Sequence, residues 1–575
     1  MDKRWILKAA GDAHVVEELA TALSVERSLA NLLVQRGVST YAEAKSFFRP
    51  QLDDLHDPFL MKDMDSAVRR LEKAVDGGEK ILVYGDYDVD GTTAVSVVYS
   101  FLRAQGIPVS YFIPDRYLDG YGVAIRGVDH AVSEGATLII ALDCGIKAVD
   151  KVAYAKSKGV DFIICDHHLS GSAIPDAAAV LDPQRPDCSY PYKDLSGCGV
   201  GYKLLQAYCL RRGISTDTLA PLLDLVAVSI ASDIVPITGE NRVLTHYGLC
   251  RLNNNPRKGL QAVMRRSGLQ EHPVGVDDIV FRIGPRLNAA GRMVSGKTAV
   301  DLLTAETDEV ADEMGDIIND QNNDRKNVDR SITLESINII RQDPQLQAKK
   351  TIVLYNPEWL KGVVGIVASR LAETFYRPTI VLTESDGMAT GSARSIPGFD
   401  LYQAIEACAD LLSSYGGHMY AAGLTMKAEN VEPFINRFEE VAHPMISPDM
   451  LIPQVDVDAE INFAEITPKF YRILKQFQPF GPGNMSPVFL TRRAYGYGNM
   501  RLVGADSEHI KLDLIQENAP YQPLPAIAFN QARFFDYIQS GKPVDVCYSI
   551  TENVYRGVTT LQLRIKDIKK SEEGS

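Results

Sequence analysis

Three short segments carry the side chains of this chain that could do chemistry. Gly85-Asp86-Tyr87-Asp88-Val89-Asp90-Gly91 sets three carboxylates at alternate positions, directly after the apolar run Ile81-Leu82-Val83-Tyr84. Aspartates that close repel one another unless a cation sits among them. The Gly91-Thr92-Thr93 that follows can open a helix, whose N-terminus also favours anions. The bland readings are an Asp-rich turn with a helix cap, and a calcium loop. An EF-hand loop needs a bidentate Glu at its twelfth position, which is Val97 here, and it lies between two helices rather than after a strand. The second segment is Asp143-Cys144-Gly145, and the third is Asp166-His167-His168, each again after an apolar run. Alone, Asp143 reads as a helix N-cap and the histidine pair as loop or core residues. Asp233, at the end of the apolar run 225–231, reads alone as a C-terminal turn residue. Together, Asp86, Asp88, Asp90, Asp143, Asp233 and His167 offer five carboxylates and an imidazole without a thiolate. That donor set suits Mn2+ or Mg2+, and the imidazole tilts the choice to manganese. It is enough for two ions about 3.5–4 Å apart, the spacing that clamps a phosphoryl transfer.

Such a cluster needs a frame that brings distant segments together. From residue 80 the runs ILVYGD, VSYFIP, TLIIAL and DFIIC alternate with helix-like stretches such as TTAVSVVYSFLRAQ, the rhythm of a parallel sheet with crossover helices. In such a sheet ligands bind beyond the carboxyl ends of the strands, where all three motifs fall. The fold class is α/β, and five segments are expected. Residues 1–75 read as short helices broken at Pro50 and Pro58, and 76–304 as the catalytic domain. Residues 305–345 read as a long exposed connecting helix, with Val310, Met314, Ile317, Val328 and Ile332 at helical spacing. A second, smaller α/β domain follows at 346–450, and alternating strand-like runs over 451–575 suggest a small β-barrel.

The chain has 575 residues and a net charge of −14, with 45% apolar and 23% charged residues, so an ordinary globular protein of several domains is expected. A negative sum argues against a diffuse basic surface, and any nucleic-acid track must be a local stripe. Metal-binding carboxylates account for part of the negative charge. Eight scattered cysteines with no CxxC pair disfavour a zinc ribbon or a disulfide framework. With no signal-peptide or membrane-span pattern, a cytoplasmic protein without a membrane partner is expected.

The motifs GDYDVDG, DCG and DHH, with the later Asp233, resemble the DHH phosphoesterase superfamily. Further segments are similar to its RecJ family of bacterial exonucleases: Pro114-Asp115-Arg116, Leu195-Ser196-Gly197-Cys198-Gly199, Gly284-Pro285-Arg286-Leu287-Asn288-Ala289-Ala290-Gly291-Arg292, Gly391-Ser392-Ala393-Arg394-Ser395 and Gly416-Gly417-His418. The resemblance covers most of residues 30–430 and weakens past 450, where Pro479-Phe480-Gly481-Pro482-Gly483-Asn484 is similar to the opening of the family's oligonucleotide-binding barrel. It implies a DHH domain, a DHHA1 domain and an OB-like barrel. The implied activity is two-metal-dependent 5′→3′ hydrolysis of single-stranded DNA to 5′-mononucleotides, in DNA repair and recombination. By the resemblance Asp86, Asp88, Asp90, Asp143, His167 and Asp233 bind metal, with Asp143 bridging both ions. The order in which Asp86, Asp88 and Asp90 serve the two ions stays open. Asp143, His167 and His168 are the implied catalytic residues, with His168 on the substrate side.

The resemblance also places Arg116, Ser392 and Arg394 at a terminal 5′ phosphate and Arg286, Asn288 and Arg292 at the mouth of the site. Gly416, Gly417 and His418 complete the implied substrate contacts, where glycine lets the backbone approach a phosphate. A lone loop arginine is more often a surface ion pair, and GGH followed by an apolar run is more often a turn. Basic and aromatic residues interleave at Phe470-Tyr471-Arg472 and Arg492-Arg493-Ala494-Tyr495, a pattern of single-strand-binding barrels. The chain departs from the family at Leu360, where His often follows the Trp. Single-strand-binding protein and a RecQ-type helicase are implied partners. Two alternatives share these motifs: a DHH/DHHA1 phosphodiesterase for short RNA or cyclic dinucleotides, and a non-catalytic single-strand-binding scaffold.

Overall fold

The apolar runs after residue 80 pair as five parallel strands. Their order across the sheet is Val109–Phe112, Lys80–Gly85, Ala136–Leu142, Asp161–Cys165, Ala179–Leu181. The computed structural model describes residues 3–293, 295–555 and 558–571. Ile81 to Gly85 and Leu138 to Leu142 are buried throughout. A strand covered on both faces reads as a continuous aliphatic run rather than an alternating one. In chain order the sheet runs second, first, third, fourth, fifth, so its winding reverses between Lys80–Gly85 and Ala136–Leu142. A crevice opens at such a reversal beyond the strand ends. Asp86 and Asp143 are the residues that follow those two strands.

Helices dominate from Gly197 to Met293. The run from Val276 to Met293 is helical throughout but widens into a π-turn at Ile279–Ile283. Pro285 explains the widening: it has no N–H to give, and its ring crowds the carbonyl of Phe281 four residues back. The connecting helix spans Asp308–Gln342, with the Thr307 hydroxyl accepting the Val310 N–H. It is not the exposed rod the apolar spacing predicts. Val310 and Ile317 face solvent, but Met314, Val328 and Ile332 pack against cores, and Ala311, Gly315, Ile318, Asn322, Arg325, Asp329 and Ser336 are buried beside them. Small residues set this face. A Cβ on Gly315 would lie 3.2 Å from the Ala262 Cβ and 3.1 Å from Arg266 Nη1, so the helix Lys258–Arg266 seats closely there.

The second α/β sheet is mixed, in the order Ser414–His418, Ala421–Lys427, Met388–Arg394, Thr379–Ser385, Ile352–Tyr355, and only its last pair is parallel. Helix Val364–Phe375 covers it. All these elements belong to one compact unit, 51–446, and a second unit is built from 1–50 with 447–575. The segment 1–75 is thus divided. Its first part includes a strand, Arg4–Leu7, too short to signal itself, paired in parallel with Gln454–Val457. Leu29, Leu32 and Leu33 share one core with Phe463, Phe470, Phe489 and Tyr548. There the strands Phe489–Val503, His509–Gln516, Ala519–Ala528, Val558–Lys570 and Val544–Tyr555 close into a five-stranded barrel, because the first also pairs with the last. Closure removes sheet edges, as in OB-type folds.

Candidate metal centre

Asp86 is fully buried, and neither of its carboxylate oxygens has a hydrogen-bond partner. The chain doubles back so tightly that a Cβ on Gly91 would lie 2.4 Å from the Asp86 carbonyl oxygen. Asp88 caps the helix Val89–Ala104, accepting the Gly91 N–H at 3.0 Å. Asp90 is held by donors from two other helices. It accepts the N–H groups of Gly197 at 2.6 Å and Cys198 at 2.9 Å, and the Ser229 hydroxyl at 2.6 Å. The Leu195-to-Gly199 run is therefore a latch that orients a carboxylate. Its Gly197 presses on the next ligand, since a Cβ there would lie 2.6 Å from the Asp143 Cβ.

Asp143 takes the left-handed backbone region, φ 58°, which aspartate tolerates better than most residues. His167 Nε2 stands 3.2 Å from Asp143 Oδ1 and 3.7 Å from both Asp90 Oδ2 and Asp233 Oδ2. This nitrogen is buried and makes no hydrogen bond. His168 turns the other way, with Nδ1 at 2.7 Å from Asp166 Oδ1 and Nε2 at 2.9 Å from the Tyr121 hydroxyl. Asp166 also accepts the backbone N–H groups of His167, His168 and Ile146. It fixes the ring of His168 and the backbone of His167. It opens the DHH motif, so its identity was visible in sequence, while its supporting role and that of Tyr121 come only from the fold.

Burial, then the crowding of neighbouring carboxylates, pushes the carboxyls of Asp86, Asp143 and Asp233 well above the ordinary range. Burial keeps His167 below its usual value, so it presents a neutral ring with a free lone pair. For His168 burial works in the same direction, but the Asp166 hydrogen bond and nearby acids outweigh it and push the ring up to about 9. Buried polar atoms are rarely left without partners. Here Asp86 Oδ1, Asp86 Oδ2 and His167 Nε2 all lack one, among crowded hard-oxygen donors. Divalent Mn2+ or Mg2+ fits that set.

Beside the acids lies a group of arginines. Arg116 donates to the Gly291 carbonyl at 3.0 Å and lies 4.0 Å above the Tyr87 ring. Arg292 donates to the Gly362 carbonyl at 2.9 Å, and Arg394 to the Ser369 hydroxyl at 3.1 Å. Among the described residues none of the three forms an ion pair. Burial, then Arg116, Arg325 and Arg394, pushes Arg292 down to about 10. Ser392 and Arg394 share one face of their strand, against Gly365, where a Cβ would lie 3.1 Å from Ser392 Oγ. Asn288 and Arg292 line a pocket of about 180 Å³ with Ser232, Val280, Arg325 and Ile366. Arg325 was not read from the sequence as a site residue, because it lies inside a long charged helix. Arg286 is directed elsewhere, donating to the Arg266 and Arg282 carbonyls and to Asn319 Oδ1 at 3.0, 2.8 and 3.2 Å. Gly416, Gly417 and His418 end an exposed edge strand. Leu360 packs against the cluster of Trp359, Val363 and Val364. Ile234, next to Asp233, has φ 61°, which costs a β-branched residue about 1–2 kcal/mol.

A doubly wound sheet with an orphaned acid and histidine beyond its strand ends, next to arginines that form no ion pair among the described residues, defines a metal-dependent phosphoesterase of the DHH class. Family models match at three places: the DHH family N-terminal domain at residues 80–230, the DHHA1 domain at 348–443 and the RecJ OB domain at 457–567. The single-stranded-DNA-specific exonuclease RecJ of Bacillus subtilis is 36% identical over 571 residues, covering 99% of this chain and 71% of that protein. Its Escherichia coli counterpart is 32% identical over 526 residues, covering 88% and 90%. The crystal structure of Thermus thermophilus RecJ in complex with Mn2+ superposes with a TM-score of 0.83 at 28% identity, covering 99% of this chain and 80% of that one. The chain belongs to the RecJ family of exonucleases.

Proposed function

We propose that this chain is a divalent-metal-dependent exonuclease that degrades single-stranded DNA from its 5′ end to 5′-mononucleotides. The carrying observation is the orphaned Asp86 and His167 donors beside arginines that have no carboxylate partner among the described residues. Asp86, Asp88, Asp90, Asp143, His167 and Asp233 would hold two ions, Mn2+ or Mg2+, with Asp143 shared between them. When bound, such a pair makes a water nucleophilic and neutralises charge on the departing oxygen.

The chain's own residues prepare the rest. Asp90 is locked by two amides and a hydroxyl, so its free lone pair points in a fixed direction. Neutral His167 offers Nε2 without first losing a proton. Charged His168, braced by Asp166, holds Nε2 on the Tyr121 hydroxyl and would donate that N–H to a phosphate oxygen once the strand displaces Tyr121. Arg116, Ser392 and Arg394 would take the terminal 5′ phosphate, while Asn288 and Arg292 take the next stretch of backbone and Arg286 braces their helix. Gly416, Gly417 and His418 would touch the strand from the second sheet.

A 5′-phosphorylated strand blocked at its 3′ end should be degraded with Mn2+, and a blunt duplex should resist. A requirement for a free 3′ end would refute the direction. A phosphodiesterase for short RNA or cyclic dinucleotides would share the metal chemistry, but the RecJ OB match at 457–567 favours a long strand. A non-catalytic scaffold would not need the complete acid set. Single-strand-binding protein and a RecQ-type helicase are the proposed partners, since they supply and protect unpaired ends, and cosedimentation with each tests this. All eight cysteines are unpaired and all but Cys250 are buried, which supports a reducing cytoplasm. Among the described residues no helix is long and apolar enough to cross a membrane.

A further inference from the structure

The last turn of helix Gly284–Met293 is capped by two consecutive side chains from the loop that follows strand Val109–Phe112. Arg116 Nε donates to the Gly291 carbonyl at 3.0 Å, and the Tyr117 hydroxyl donates to the next carbonyl, that of Arg292, at 2.8 Å. The final carbonyls of a helix have no partner within it, so both bonds satisfy groups that would otherwise be left open. Asp115 braces the loop, its Oδ1 accepting the N–H groups of Tyr117 at 2.8 Å and Leu118 at 3.0 Å. The second α/β domain meets the same point. Arg292 Nη1 donates to the Gly362 carbonyl at 2.9 Å, and a Cβ on Gly362 would lie 2.6 Å from the Arg292 carbonyl oxygen and 2.9 Å from the Tyr117 hydroxyl oxygen. Three segments distant in sequence therefore close on one phenol. What they hold together is positive charge. Arg116 and Arg394 both act on Arg292, and among the described residues no ion pair offsets their repulsion. Arg116 is anchored to the helix end and to the Tyr87 ring, and Arg292 to Gly362, so both anchors run through the turn that Tyr117 caps.

We propose that Tyr117 is a positioning residue: its hydroxyl fixes Arg116 and Arg292 relative to each other, and through them the preference for a strand that ends in a 5′ phosphate. The inference rests on the strand-hydrolysis reading, which puts Arg116 at that phosphate and Arg292 on the backbone beyond it, and deepens it by naming what sets the two cations. A phenol suits the task because it donates without carrying charge. A lysine or arginine in its place would add to the repulsion, and a carboxylate would pair with an arginine that the phosphate needs.

The test uses the full chain with Mn2+ and two short single strands that differ only in a 5′ phosphate or a 5′ hydroxyl. For the wild type, kcat/KM should be higher on the phosphorylated strand. Tyr117→Phe removes one oxygen and keeps the ring, and it should lower the ratio of the two kcat/KM values about tenfold, the worth of one hydrogen bond. Gly362→Ala should lower the ratio too, because its Cβ forces the Arg292 carbonyl and the phenol apart. The double variant should lose little more than either single one, since both act at one junction. Damage to the fold or to the metal ligands lowers both strands by the same factor, so the ratio is a readout that a merely structural role would not move. If the ratio keeps its wild-type value in both single variants, or if the wild type does not distinguish the two strands, this inference falls while the hydrolysis reading stands. A wild-type protein inert on every strand overturns both.

Discussion

Asp143 is the residue on which the candidate centre turns. Asp143→Ala removes the carboxylate nearest His167, and kcat/KM should fall about a thousandfold or more, since each metal contributes several kcal/mol. A loss below about tenfold would sink its shared-ligand role. Stability should move the other way. Without metal, Asp86→Asn should raise Tm because a buried, repelled carboxyl is gone, whereas in Mn2+ the wild type should be the more stable protein by ligand linkage. A calorimetric scan with and without chelator checks the reversal. Asp182 allows a pH test at a carboxyl that is not among the proposed ligands, though Asp166 and His168 lie close enough to act on it. It is fully buried with Oδ2 unpartnered, and burial pushes its carboxyl up to about 7. The folded state then holds a proton that the unfolded state releases near 4, so this group lowers stability as pH rises from about 4 to 7. Asp182→Asn should raise Tm by about 2–4 °C at pH 8 and by little at pH 4. Equal gains at both pH values would refute the assignment. The ligand identities were legible because acids clustered after strand-like runs have few other uses. Arg325 and Tyr121 were not, since a lone arginine in a charged helix and a lone loop tyrosine carry no local signature.

Elements position these groups through close contacts that only glycine permits. Helix Gly197–Arg212 begins against Asp143 and donates its first amides to Asp90, so one turn of backbone sets two carboxylates at once. Gly197→Ala should therefore cost activity far more than stability. About 1–3 kcal/mol of overpacking is expected, with a loss of about a hundredfold or more in kcat/KM from displaced ligands. An alanine variant with wild-type kcat/KM would show that the ligands tolerate the shift. Strand-and-helix alternation from residue 80 was readable because buried parallel strands make continuous aliphatic runs. The connecting helix was readable in extent but only partly in orientation, since Met314, Val328 and Ile332 turn inward while Val310 and Ile317 do not. Its buried face joins Ile318, Ile332 and Ile340 to Ala311, Gly315, Asn322, Arg325 and Asp329, and hydrophobic spacing does not detect the small residues or paired charges such as Asp329 with Arg370 at 2.8 Å. The π-turn had a local cause in Pro285, yet proline more often ends a helix than widens it, so the placement of Phe281 was out of reach.

At the scale of the whole molecule, a charge of −14 gives no diffuse attraction for a polyanion, so grip on a long strand must come from local contacts. The unit formed by 1–50 with 447–575 carries the RecJ OB match and should supply part of that grip. Its composition from both chain ends was not legible, because a four-residue strand at Arg4–Leu7 and a parallel partner some 450 residues later leave no local trace. The composition dictates how the role must be tested. Removing only 452–575 would strip the cover from Leu29, Leu32 and Leu33, and the remainder would aggregate. A chain of residues 51–446 removes the unit cleanly. It should bind long single strands more weakly and with a flatter salt dependence, since each lost phosphate contact lowers the slope by about 0.7. Hydrolysis of a very short 5′-phosphorylated oligonucleotide should change little, because every proposed metal ligand lies between Asp86 and Asp233. Both substrates measured at two salt concentrations separate binding from scaffolding. Equal loss on short and long strands, with the slope unchanged, would mean that the barrel unit supports the catalytic unit's fold rather than the strand.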